Sequence, residues 1–354
     1  VLSECSHEEH FFLRSSCLAR FMHRLVRGVC TNVSSLRVVT YSKSFTVVPT
    51  YECFNRCTYC NFRAQPLSSS WLSLQDGGRL LDKAREMGAS EALFISGEVH
   101  PRSSRRASWL EHIVKLCSMA LDRGLLPHTN AGPLSENEML ALKEVNASMG
   151  LMLESIAPDL KVHKHAPSKS PQLRVKQLEL AGQLRIPFTT GLLLGIGESE
   201  MDCIATLEAI RDVHARFGNI QECIMQPFSP GVNEHSGGQP SNSYNTSGKA
   251  FPLEDLPNAV KLAREILQPS IAIQIPPNLV HAPEILGQCL KAGASDLGGI
   301  GPKDEVNPQY EFPTDVQAIL GDEYRLVHRL PVHTTFYDWM PHRVRSIAAL
   351  HYTR

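Results

Sequence analysis

Short apolar, β-rich runs alternate with helical segments along most of the chain at intervals of roughly 30 residues, and this alternation constrains the fold more than any other feature. Phe45–Pro49, Ala92–Ser96, Leu125–His128, Met149–Glu154, Phe188–Leu194 and Ile220–Gln226 read as strands, with Ile271–Ile275 a candidate seventh. Helix signals fall between them. Ser73 with Asp76, and Ser135 with Glu138, have the spacing of capping boxes. Gly88, Gly124 and Gly182 stand where helix C-caps would fall. Strand, helix, strand in that order calls for parallel strands joined by right-handed crossovers. The expected class is α/β, a partial or full TIM-like (β/α) barrel, with a doubly wound sheet as the other closure. The expected organisation is a barrel domain over 39–308, flanked by an N-terminal extension (1–38) and a C-terminal extension (309–354). Gly231–Lys249, rich in Gly, Ser and Asn, reads as a long loop, either a lid or an uninvolved surface insertion.

Charge narrows the function. Lys plus Arg is 35 against 36 for Asp plus Glu, so no global field draws the chain to nucleic acid or to an anionic membrane. Apolar stretches such as Gly191–Gly197 are too short to cross a bilayer. A small-molecule role in the cytoplasm is the expectation. An organelle matrix or stroma is the alternative, because His10–Tyr51 holds no acidic residue and repeated arginines, as a transit segment does. An amphipathic helix packed beside the barrel explains the same residues, and Glu4, Glu8 and Glu9 count against transit. Of the ten cysteines, Cys5, Cys17, Cys30, Cys117, Cys203, Cys223 and Cys289 are scattered singly. Cys117 follows helical apolar spacing and reads as a core thiol in a reducing compartment.

The remaining three cysteines lie together in Cys53-Phe-Asn-Arg-Cys57-Thr-Tyr-Cys60, just after the first strand. Thiolates at these spacings can wrap one face of a [4Fe-4S] cube from a single loop and leave the fourth iron without a protein ligand. S-adenosylmethionine (SAM) can chelate that iron through its amino and carboxylate groups. A structural zinc site would need a fourth Cys or His. None is near in sequence, although a distant residue such as His128 could fold back.

Barrel chemistry collects at the C-terminal ends of strands. Those ends carry Ser96-Gly97-Glu98, His128-Thr129-Asn130, Glu154, Gly195 and Gln226. Ser96-Gly97-Glu98 resembles the Gly-Gly-Glu turn that meets the methionyl amino group in radical SAM enzymes, with Ser in place of the first Gly. Gly191-Leu-Leu-Leu-Gly195-Ile-Gly-Glu198 resembles the family's Gly-x-Ile-x-Gly-x-x-Glu pattern, with Leu for Ile. It serves equally well as a turn that needs glycine for its own geometry. Glu154 and Arg174 are candidate partners for the SAM ribose and carboxylate; without SAM each would be half of a surface ion pair.

The resemblance extends further. Val48–Arg63, Leu126–Asn130, Asn146–Glu154, Arg185–Gly191, Pro276–Leu279 and Gly293–Gly299 are similar, in this order, to blocks of the CofG component of FO synthase (7,8-didemethyl-8-hydroxy-5-deazariboflavin synthase). The departures are Leu297, where the family usually has an aromatic residue, and the longer Gly231–Lys249 segment. The resemblance implies a radical SAM barrel with a [4Fe-4S] cluster on Cys53, Cys57 and Cys60, acting as an ammonia lyase. Its substrate would be the adduct of a 4-hydroxybenzyl group with 5-amino-6-ribitylaminouracil, made by the partner CofH. A 5′-deoxyadenosyl radical would abstract a hydrogen from the adduct, which then cyclises, loses ammonia and is oxidised to FO. A one-electron donor is a further partner. His128, Asn130, Thr190, Gln226, Asn278 and Asp296 are the side chains of the right type for the uracil and ribityl groups. The alternatives are the CofH component or a futalosine-pathway menaquinone enzyme, which share the cluster loop, and, outside enzymes, a zinc-stapled interaction protein.

Overall fold

The computed structural model describes residues 36–230, 250–302 and 315–352, with the backbone of 232–233 and 239–240. The readings for residues 1–35, including Cys5, Cys17 and Cys30, and for most of the 231–249 loop lie outside the described residues.

Eight parallel strands close on one another. They are β1 (Arg37–Val47), β2 (Glu91–Ile95), β3 (Leu126–Asn130), β4 (Ser148–Gly150), β5 (Phe188–Leu194), β6 (Ile220–Pro227), β7 (Ala272–Gln274) and β8 (Asp296–Ile300). β8 returns to pair with β1, Thr40 opposite Asp296, so the closure is a full TIM-like barrel and the doubly wound sheet is excluded. β8, Asp-Leu-Gly-Gly-Ile, escaped the strand reading because an acid and two glycines break its apolar pattern. β5 is buried at all seven positions, as a parallel strand covered on both faces requires.

Outside the strands run α1 (Leu74–Glu86), α2 (Arg106–Leu121), α3 (Glu136–Lys143), α4 (Pro171–Gln183), α5 (Glu200–Phe217), α6 (Leu256–Ile266) and α7 (Pro283–Ala292). Ser73 caps α1 by accepting from the Asp76 amide at 3.0 Å, and Ser135 with Glu138 forms the full reciprocal box on α3. An unforeseen third box, Ser199 with Asp202, opens α5. Gly88 and Gly124 have positive φ just past α1 and α2. Gly182 is a different case. It lies inside α4, where an added Cβ would strike Phe217, and Arg185 takes the left-handed conformation (φ 53°) instead.

The barrel's outer face and the helices bury one apolar core, in which Trp109, Ile113 and Leu116 of α2 are fully buried. Cys117 belongs to it, and burial pushes its thiol up to about 12. β1, eleven residues long, outruns its neighbours. Ser44–Val47 pairs with β2, while Arg37–Ser42 pairs in parallel with a ninth strand, β9 (Tyr324–Arg329). β9 follows the short α8 (Val316–Leu320) and precedes α9 (His342–Leu350), whose Arg343 reaches Asp122 beyond the end of α2 at 2.7 Å. This C-terminal segment therefore lies across the N-terminal end of the barrel. Among the described residues, no helix is long and apolar enough to cross a membrane.

Candidate active site: a cysteine loop over a two-ended cavity

The loop that leaves β1 is tied down on both sides. The amide of Cys53 donates to the Ala64 carbonyl at 3.1 Å, and that of Ala64 to the Tyr51 carbonyl at 2.7 Å. The amides of Phe54, Arg56 and Thr58 donate to the carbonyls of Glu98, His165 and Val162. Glu52, buried beside Cys53, accepts from Arg105 Nη1 at 2.8 Å, and Arg105 stacks over Trp71. A loop held this way can present three sulfurs in fixed directions.

Cys57 is buried, and Cys53 and Cys60 are half-buried. Burial, reinforced by Glu98, pushes the Cys53 thiol up to about 11, and burial pushes Cys57 to about 12. Thiolates there require a compensating cation, which is the chemistry of a metal site. The spacing of the sulfurs decides which kind. Four ligands about 2.3 Å from one zinc would place their sulfurs about 4 Å apart. Among the described residues, the one group of three metal-competent side chains within 4.8 Å of one another is Glu222, Asp296 and His333, and no cysteine belongs to it. The three cysteine sulfurs therefore do not all lie within 4.8 Å of one another, which argues against one tetrahedral ion. His128 does not fold back to them: its Nδ1 is bonded to Ser148 Oγ at 2.7 Å and its Nε2 lies over the Gly150 Cα. The donor set fits the [4Fe-4S] group.

Around the loop, the SAM candidates Glu98, Arg174 and Glu154 form a connected set. Gly97 passes so close to Glu52 that a Cβ would strike its carbonyl oxygen, and its amide donates to the Thr50 carbonyl at 2.8 Å. Glu98 accepts from Asn55 Nδ2 at 2.9 Å and packs against Gly132. Ser96 Oγ accepts from Trp109 Nε1 at 3.1 Å, which pins the turn to the core. Glu154 sits at φ 68°, a strained conformation for a non-glycine residue. Burial raises its carboxyl, but Lys169 and Arg174 more than offset that and hold it below the usual range. The surface-ion-pair reading of Arg174 is overturned. The side chain is 2% exposed, donates to the Ser168 and Met152 carbonyls, and lies 3.7 Å from Glu98 and 3.9 Å from Glu154. Gly195 turns at φ 88°, and its amide and that of Ile196 are both held by the Glu198 carboxylate, at 2.6 and 2.8 Å. That glycine meets a turn requirement of its own.

Beneath the loop, a cavity of about 390 Å³ runs into the barrel, with Tyr59 and Cys60 at its mouth. Of the substrate candidates, it is lined by His128, Asn130, Gln226 and Asn278. Thr190 and Asp296 are not in its wall. Strand alternation turns Thr189 inward instead, and Thr190 Oγ1 accepts from the Leu153 amide. Asp296, fully buried, is consumed by Arg329 at 2.6 and 2.8 Å and by the Gly298 amide.

Several residues escaped sequence reasoning: Lys169, which holds Glu154, and Glu91, Glu222 and Arg329 in the deep wall. Glu91 and Glu222 sit near the N-terminal ends of their strands, and Arg329 is on a strand outside the barrel count. Attention to strand C-termini passes over all three. The acids are inward positions in otherwise apolar runs, which was the available signal.

A closed parallel barrel with a three-cysteine loop over the C-terminal ends of its strands defines a radical SAM enzyme, and residues 47–210 match the Radical SAM superfamily model. The fold agrees with solved structures. The FeFe-hydrogenase maturase HydG from Carboxydothermus hydrogenoformans covers 89% of this chain and 72% of its own at TM-score 0.63 and 19% identity. Methylornithine synthase (PylB) covers 89% and 86% at TM-score 0.57 and 17% identity. Closer in sequence, the 7,8-didemethyl-8-hydroxy-5-deazariboflavin synthase of Trichodesmium erythraeum is 51% identical over 318 residues, 88% of this chain and 97% of that one. That of Thermosynechococcus vestitus is 53% identical over 312 residues, covering 86% and 95%. The chain belongs to the 7,8-didemethyl-8-hydroxy-5-deazariboflavin (FO) synthase family. Membership implies a [4Fe-4S] cluster, SAM, an electron donor and a small-molecule substrate.

Proposed function

We propose that this chain catalyses the CofG-type step of FO formation, the cyclisation of the 4-hydroxybenzyl–ribitylaminouracil adduct with loss of ammonia. About half the residues are shared with FO synthases across nearly their whole length, and that similarity carries the reading. The cavity supports it by its mixed lining. Leu93, Ile95, Ile224 and Leu193 offer apolar surface to an aromatic pair, while Asn130, Gln226 and Asn278 offer amides to a uracil edge.

Cys53, Cys57 and Cys60 would hold the cluster, and the cluster with SAM supplies a 5′-deoxyadenosyl radical at the mouth of the cavity. Glu98, Glu154 and Arg174 would orient the methionyl and ribose ends of SAM. Glu154 is already held by Lys169, and SAM would have to join that charge cluster. Tyr59, on the cysteine loop under Lys169 and hydrogen-bonded to His163 at 3.2 Å, closes the mouth against water. CofH would supply the adduct; the single Cys-x-x-x-Cys-x-x-Cys run fits one half of the two-step synthesis.

The test is an anaerobic assay with SAM, a reductant and the CofH product, followed by FO fluorescence. FO should form with the adduct and not from tyrosine and 5-amino-6-ribitylaminouracil alone. Formation of the tyrosine-derived adduct by this chain would reassign it to the CofH step.

A further inference from the structure

Polarity changes with depth along the cavity wall. On β2 the successive inward positions are Glu91, Leu93 and Ile95, and on β6 they are Glu222, Ile224 and Gln226. At about 3.3 Å per residue, the charged layer lies roughly 13 Å below the C-terminal ends of the strands. The reacting atoms must stay at the mouth beside Cys60, so the deep layer meets the part of the substrate that does not react.

The C-terminal segment builds that layer as much as the barrel does. Arg329 of β9 enters the wall and pairs with Glu222 at 2.5 Å and with Asp296 at 2.6 Å. The Pro331 carbonyl accepts from Ser148 Oγ at 2.5 Å and from Gln221 Nε2 at 3.1 Å. Because Ser148 gives its proton to Pro331, its oxygen must accept from His128, which fixes the Nδ1–H tautomer and leaves Nε2 as an acceptor. The guanidinium already fills the space among Glu222, Asp296 and His333, so that group is an ion-pair network, not a cation site.

Two features of the floor call for a ligand. Ser44 Oγ, in the wall and 6% exposed as a residue, has no hydrogen-bond partner. Glu91 stands over Gly299, whose missing side chain keeps the space before the carboxyl open. Acceptors, a hydroxyl and a neutralised cation crowded into a small layer match a chain of hydroxyls, each of which both donates and accepts. They match neither an anion nor an apolar ring.

We propose that the floor formed by Ser44, Glu91, Glu222 and Arg329 is the subsite for the polyhydroxylated tail of the substrate, and that the C-terminal segment completes it. This rests on the reading of the substrate given above. The experiment therefore uses equilibrium binding, independent of turnover. Anaerobically reconstituted protein with SAM and no reductant is titrated calorimetrically with 5-amino-6-ribitylaminouracil and with its 6-methylamino counterpart, which lacks the polyol.

The ribityl compound should bind on the order of tenfold more tightly to the wild type, as one or two net hydrogen bonds provide. Ser44→Ala and Glu91→Gln should each remove several-fold of that preference and leave the methyl compound unaffected. Ser44→Ala deletes a hydroxyl without a partner in the fold, so a purely structural role predicts unchanged binding and unchanged or higher stability. Equal affinity for the two compounds, a preference untouched by both variants, or no binding of either overturns the proposal. If the preference behaves as described but the adduct yields no FO, the functional reading falls and the polyol subsite stands. FO formation without any polyol preference removes the subsite and leaves the functional reading in place.

Discussion

The two ends of the barrel solve opposite problems with the same kind of residue. At the C-terminal end, Glu98 and Glu154 are bridged by Arg174, and Lys169 holds Glu154 where it lines the cavity. At the N-terminal end, Glu222 and Asp296 are bridged by Arg329 in a network that the C-terminal segment seals. Both are buried clusters of acids around an arginine. The upper one stands beside the cysteine loop, and there we propose that SAM binds. The lower one is closed by its own ion pairs, while the Ser44 hydroxyl beside it has no partner. Burial and ion pairing alone therefore do not mark a site.

The two ends should differ most sharply at the cysteines. Replacing Cys53, Cys57 or Cys60 by Ala should lose most of the iron and abolish SAM cleavage, because two thiolates hold a cube poorly. Cys117→Ala, deep in the core, should leave iron content unchanged. Iron analysis and 5′-deoxyadenosine formation read both. Full activity in any of the first three variants removes that residue from the ligand set.

The next effect is at the floor. Arg329→Met strands two buried carboxylates, which costs about 3–5 kcal/mol. The melting temperature should fall steeply, and Arg329→Lys should recover part of the loss. If the Met variant melts with the wild type, the floor network carries no weight in the fold.

At the mouth the main expected change is in binding. Glu98→Gln removes one charge-assisted hydrogen bond of about 1.5–3 kcal/mol, so SAM affinity should drop roughly tenfold to a hundredfold. Glu154→Gln should act in the same direction but also lower the melting temperature, since Lys169 and Arg174 then face an uncharged partner. Iron content should stay normal in both. SAM titration and thermal melts on the same preparations separate the roles; a loss of stability with unchanged affinity makes either residue structural.

The smallest effect concerns pH. Burial raises Glu91 from 4.5 to about 7, partly opposed by the Ser42 hydroxyl and by Arg329. Folding thus favours its protonated form, so its contribution to stability is complete below about 4.5 and is lost as pH rises through about 7. The Glu91→Gln protein should melt like the wild type at pH 5 and a few degrees higher at pH 8.5. Parallel melting curves across that range would place Glu91 in a more polar setting than the floor provides.

The sequence made the mouth far more legible than the floor. A Cys-x-x-x-Cys-x-x-Cys run and glycine turns are local signals, each imposed by chemistry within a few residues. Six strands and a candidate seventh were visible because parallel strands are continuous apolar runs. The eighth was hidden by Gly298 and Gly299, and the ninth by its exposed polar residues Arg325 and His328, one on each face. The floor depends on those two strands, because Asp296 and Arg329 lie far apart in the chain and meet only when the barrel closes. Thr190 against Thr189 is a smaller lesson. Both are buried and polar, and only the register of β5 decides which faces the cavity.

Everything proposed for the mouth depends on Cys53, Cys57 and Cys60 holding a cubane whose free iron faces the cavity. Mössbauer spectroscopy of the anaerobically reconstituted chain, with and without SAM, reads this directly. The expected result is brown protein with about four irons per chain in one cluster, and a single iron site whose signal shifts when SAM is added. A colourless protein holding one zinc, or a cluster in which SAM perturbs no iron site, would contradict it.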